Sequence, residues 1–124
     1  MTNDTLLFRQ INASWVQQGR VTSQAFRPMP KDQGLLSVYD GDLIDAEGSW
    51  THFTCVLGWS SAGVMALSVQ DILNESLTVA ADPEAFPEHV VVNYLAFSDS
   101  QIVSISKRLG IIAGRLGWQY MPSL

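Results

Sequence analysis

The sequence predicts a small α+β sandwich: a mostly antiparallel sheet of about four or five strands with two main helices on one face. Three observations carry this. The longest β-branched run, His89-Val-Val-Val-Asn-Tyr-Leu-Ala-Phe97, follows a turn-rich stretch, Asp82-Pro-Glu-Ala-Phe-Pro87. A helical stripe of Ile102, Ile105, Leu109, Ile112 and Leu116 follows it directly. The other strand-like segments are short and bounded by turn residues, in the order β, loop, β, α, β, short α, β, α.

Taken in order, Thr5 to Ile11 is apolar and β-compatible, with Arg9 near its centre. A charge inside such a strand lies at an edge, is paired, or faces a site, because burying it alone is costly. Asn12 or Ser14 can cap a helical turn through Val16 and Gln17 that Gly19 would stop. Ser23 to Gly34 is a long loop whose Pro28 and Pro30 favour extended backbone before them. Leu35 to Tyr39 reads as a strand ended by the Asp40-Gly41 turn. Leu43 to Leu57 reads as a helix, with Asp45 as cap and Trp50, Phe53 and Leu57 on one face. Ala62 to Val69 is apolar at nearly every position, which predicts a central strand. Gln70 to Leu77 predicts a short helix and Thr78 to Ala81 a short extended piece. In the last helix, Asp99 to Leu116, Ser98 and Gln101 have capping-box spacing. Gly110 and Gly114 lie beside its stripe and predict close packing.

Length and composition bound the rest. At 124 residues the chain fits one domain, 1–124, since two halves of about 60 residues would each be marginal. No apolar run reaches the roughly 18 residues that a membrane span needs. The polar start Met-Thr-Asn-Asp-Thr lacks a basic leader region, so a cytoplasmic location is expected. Cys55 is the only cysteine, which removes internal disulfides and thiolate zinc sites, and no metal or cofactor is expected. A net charge of −5 argues against nucleic acid as the main partner. The acids are concentrated: Asp71, Glu75, Asp82, Glu84, Glu88 and Asp99 lie between Val69 and Asp99, a stretch without Lys or Arg.

Phosphate-loop, dinucleotide and zinc-protease motifs are missing. Gly58-Trp-Ser-Ser-Ala-Gly63 lacks the spacing of a nucleophile elbow, so it gives no ground to expect a serine hydrolase. His52 and Cys55 are neighbours on the predicted helix, too few for a metal site. His89, at a strand start, and Arg9, inside one, are the candidate catalytic residues, because rigid strands position side chains well. Ser23, Gln24, Arg27 and Lys31 on the long loop are candidate ligand-binding residues.

Two functions are therefore expected. The first is non-catalytic binding of a protein with a basic surface, as antitoxins, immunity proteins and other inhibitors do. It would use Asp82, Glu84, Glu88 and Trp118, with a homo-oligomer also open. The second is a small enzyme or ligand-binding domain for a phosphate-bearing or nucleotide-like ligand, using Arg9, the 23–31 loop and His89. Convergence of Arg9 and His89 in one pocket would favour the second.

Overall fold

Alternation along the first strand organises the molecule. In β1 (Leu6–Ile11), Leu7 and Ile11 enter one buried cluster and Phe8 enters another, so both faces of the strand are covered. The computed structural model describes residues 1–122. Its main sheet also contains β4 (Leu35–Asp40), β5 (Gly63–Ser68), β6 (Thr78–Ala81) and β7 (His89–Asn93). These are ordered β5-β1-β4-β7-β6, every pair antiparallel. The mostly antiparallel α+β class expected from sequence is the observed one.

The segment after β1 is not helical through Val16 and Gln17. Asn12 caps a single 3-10 turn at Ala13–Trp15. β2 (Val16–Gln17) and β3 (Arg20–Val21) then form a hairpin. Its turn residues Gln18 and Gly19 both have positive φ, the twist that a two-residue hairpin needs.

The helices cover opposite faces rather than one. α3 (Asp99–Leu116) carries the capping box of Ser98 and Gln101, and its Ile105, Leu109 and Ala113 pack into the larger cluster with Leu36, Leu67 and Val92. α1 (Ala46–Thr51), capped by Asp45, continues into a π-helical turn over His52–Val56. Its Trp50 and Phe53 pack with Phe8, Tyr39, Val64 and Ala66 on the other face. Each helix buries one stripe, and a sheet apolar on both sides needs a cover on each. α2 (Val69–Leu73) is a short capped helix that begins where β5 ends.

β5 is an edge strand, not a central one. Its apolar sequence reports burial of both faces: Met65 and Leu67 on one, Val64 and Ala66 on the other. Its open edge is covered by the C-terminal segment, where the Gln119 N–H donates to the Val64 carbonyl (2.8 Å) and the Val64 N–H to that of Tyr120 (2.9 Å). Gly63 is needed there, because a β-carbon would lie 2.8 Å from the Tyr120 carbonyl and from the Trp118 ring. The close packing expected of both helix glycines occurs at neither to the degree predicted. A β-carbon at Gly110 would make ordinary contact with Phe26 and Ser23, and Gly114 has open space. No helix among the described residues is long and apolar enough to cross a membrane.

Candidate functional site

A split in the sheet creates the site. β1 and β4 pair only at Leu7–Asp40 and Phe8–Tyr39. β1 continues beside β5 to Ile11, and β4 beside β7 back to Leu35. The next rung would join Gln10 to Ser37, with the Ser37 carbonyl turned toward β1 by the alternation of the ladder. That rung is absent. Arg9 replaces it: Nη1 donates to the Ser37 carbonyl (3.0 Å) and Nε to the Ala25 carbonyl (2.8 Å). The guanidinium also lies 5.0 Å from the centre of the Trp15 ring. Burial pushes the Arg9 pKa down to about 10, against the opposing pull of Asp32 and Tyr94, so Arg9 keeps its charge at neutral pH.

Arg9 also lines a cavity of about 160 Å³ that includes Gln10, Ser37, Tyr39, Phe53, Trp59 and His89. A second cavity, of about 270 Å³, shares Arg9, Gln10, Ser37, Phe53 and Trp59 and adds Met29, Lys31 and Asp32. Together they form one cleft. Lys31 Nζ lies 4.8 Å from the centre of the Trp59 ring, placing a second cation at its edge.

His89 closes the cleft from β7. Its Nδ1 is 2.9 Å from Asp82 Oδ2, and its Nε2 is 3.0 Å from Ser37 Oγ. An ionised carboxylate can only accept. In the neutral ring Nδ1 therefore carries the proton, and Nε2 is left to accept from the Ser37 hydroxyl. The three groups form a directed chain, Ser37 to His89 to Asp82. The His89 residue is 9% exposed, whereas Ser37 is exposed on the cleft side of its strand.

Phe86 fixes this arrangement laterally, its ring 4.8 Å from His89, 4.7 Å from His52 and 5.2 Å from Tyr39. His52 Nδ1 and Tyr39 Oη are hydrogen-bonded at 2.8 Å. Gln10 is held by Ser49 and Ser61, to which it donates and from which it accepts, respectively. These contacts fix the walls of the cleft.

Burial raises the Tyr39 phenol above its ordinary range, with Glu88 adding to the effect; burial likewise raises Tyr94, with Arg9 opposing. Unfolded phenols ionise near about 10. The stability these two contribute is therefore complete below that pH and is lost as pH rises through their native values. A tyrosinate absorbance titration is expected to show two tyrosines ionising only as the chain unfolds. Ionisation of every tyrosine in one step near pH ~10, with the fold intact, would contradict this.

The sequence-derived candidates divide. Arg9 and His89 line one cavity and meet at Ser37. Lys31 reaches the cleft. Arg27 instead donates to Ser106 on α3 (3.1 Å) and to Ser23 (2.8 Å), tying the loop to the helix. Ser23 lines a separate groove of about 620 Å³ between the hairpin and α3, and Gln24 is exposed. That groove is larger than either cavity of the cleft, but its lining holds no linked polar chain comparable to Ser37–His89–Asp82. Asp82 is bound to His89, Glu84 is exposed and Glu88 is half-buried. Trp118 is half-buried against Gly63 beside β5, whereas Asp82 follows β6, so they lie at opposite edges of the sheet. Trp59, 56% exposed, is the open tryptophan. Among the described residues no group of three or more His, Cys, Asp or Glu could hold a metal ion.

Sequence reading did not single out Ser37, Tyr39 or Phe86. Ser37 did carry a signal: it is the one polar residue inside Leu35–Tyr39, on the same strand face as Tyr39. No family model, curated protein or solved structure matches the chain, so the chemistry of the cleft rests on its residues.

Proposed function

We propose that the protein takes a small phosphate-bearing ligand into the cleft between β1 and β4. Arg9 and Lys31 face the anion, Phe53 and Trp59 take an aromatic or nucleotide-like portion, and His89 serves as acid or base. The observation that supports this best is the convergence of Arg9 and His89 on the two sides of Ser37, in a hollow walled by aromatic side chains. An acidic docking surface for a basic protein is the weaker reading. Its Asp82 is engaged by His89, and Trp118 lies at the far edge of the sheet.

Calorimetric titration with a nucleoside monophosphate, beside inorganic phosphate alone, tests the proposal at low salt, where charge contributes most. Binding is expected to weaken at least ~10-fold in Lys31→Glu, about 1.4 kcal/mol. Lys31 is exposed, so the fold should tolerate this change. Equal affinity in both proteins, or no binding to either, would overturn the reading.

A further inference from the structure

We infer that Ser37, His89 and Asp82 make the cleft the active site of an ester hydrolase, with Ser37 as nucleophile and His89 as general base. The inference rests on the cleft being a ligand site and names the reaction performed there.

Three features of the geometry carry it. First, the contacts follow the order that nucleophilic activation requires: hydroxyl to Nε2 at 3.0 Å, and Nδ1 to carboxylate at 2.9 Å. The carboxylate fixes the tautomer that leaves Nε2 basic, and it stabilises the imidazolium formed when Nε2 takes a proton. Second, the groups differ in access in a useful way. Ser37 is exposed toward the cleft, while His89 is buried against Phe86, which restricts its ring to the orientation that serves Ser37. Third, a fixed cation holds the strand that carries the nucleophile. Arg9 Nη1 donates to the Ser37 backbone carbonyl (3.0 Å), and Arg9 lines the same cavity as Ser37 and His89, where a positive charge favours developing negative charge.

The substrate class follows from the lining. It is a carboxylic ester whose apolar part lies against Phe53, Trp59 and Phe86 and whose anionic substituent lies toward Lys31. In the first step Ser37 Oγ bonds to the ester carbonyl carbon while its proton moves to His89 Nε2. The carbon–oxygen bond to the alcohol then breaks, and Nε2 returns the proton to the departing oxygen. In the second step a water adds to the acyl-serine, giving its proton to Nε2. The Ser37–acyl bond breaks, Oγ takes the proton back, and the acid leaves. No other reactant is needed. Ser37 and His89 are the catalytic residues, and Asp82 is a positioning residue.

No sequence motif announces the arrangement. The nucleophile lies inside a strand rather than on a strand-to-helix elbow, and its partners come from β7, its neighbour in the sheet, and the loop before β7.

An alkyl fluorophosphonate provides the test, because it is attacked by an activated serine with loss of fluoride and leaves a stable adduct. Mass spectrometry of the intact protein and its peptides is expected to show one adduct, on Ser37, and none in Ser37→Ala. Labelling should slow at least ~100-fold in His89→Gln. In Asp82→Asn it should slow at least ~10-fold, with partial recovery in Asp82→Glu. Hydrolysis of p-nitrophenyl acetate should follow the same ranking. Asp82 is only half-buried, so its variants are expected to keep the wild-type urea midpoint, which separates a positioning role from a structural one. Absence of an adduct on Ser37 in the wild type overturns the inference, as does labelling that is indifferent to both His89→Gln and Asp82→Asn. If Ser37 stays unlabelled while Lys31-dependent phosphate binding persists, only the hydrolase falls. If binding is also absent, the reading of the cleft falls with it.

Discussion

Replacing Phe26 with alanine is expected to destabilise the protein by about 3–5 kcal/mol. Phe26 is 1% exposed and belongs to the large core cluster. Its carbonyl accepts from the buried Tyr94 hydroxyl at 2.6 Å, and its ring faces Gly110 on α3. The ring therefore packs the 3-10 turn Ser23–Phe26 against α3, while the carbonyl, which alanine keeps, ties the turn to Tyr94 just after β7. A cavity left there has little prospect of collapsing, since its walls belong to separate elements of a close-packed interior. The consequence reaches the cleft. Ala25, beside it, supplies the carbonyl that holds Arg9 Nε, so a loosened turn should also weaken ligand binding. Urea denaturation measures the first effect and calorimetry the second. A loss below about 1 kcal/mol, far under the usual range for Phe→Ala in a core, would show that the turn does not anchor the loop.

Arg9→Met is the second large effect, expected to cost about 2–3 kcal/mol. Two contributions oppose each other. Removing the guanidinium relieves the burial that lowers its pKa, which by itself favours the variant. Against this, the part-buried Ala25 carbonyl and the more open Ser37 carbonyl both lose a hydrogen bond from a charged donor, an interaction worth about 1.5–3 kcal/mol. Contact with the Trp15 ring is lost as well. The carbonyls should prevail, because the missing Gln10–Ser37 rung gives Ser37 no backbone substitute from β1. Arg9→Lys should recover only part of the loss, since one ammonium cannot reproduce the planar fork that reaches two carbonyls in different elements. Wild-type stability in Arg9→Met would mean that water satisfies both carbonyls and that Arg9 does not hold the split together.

Hydropathy proved informative about faces and uninformative about neighbours. β5 illustrates this: its apolar run correctly signals burial on both sides, but an edge strand covered by Trp118 and Tyr120 produces the same pattern as a central one. The stripe on the Leu43–Leu57 segment likewise showed that a face would be buried, not which side of the sheet would receive it. The hairpin at Val16–Val21 was hidden because its strands are only two residues long, too short for a period to register.

The sequence by itself determined the α+β class, the span and capping of α3, the turns after Tyr39 and before His89, and the fact that Arg9 and His89 sit in strands where a charged or titratable group needs a reason. These are local properties, set by side-chain period, capping chemistry and the cost of burying charge. Only the tertiary structure decided that strand register brings His89 to Ser37, 52 positions apart, that Asp82 turns back to His89, and that β1 and β4 separate to leave Arg9 between them. Such pairings depend on which strands become neighbours and in what register, and a shift of one residue would turn Ser37 and His89 to opposite faces. The cleft is legible in the fold because its chemistry is made of contacts between distant parts of the chain.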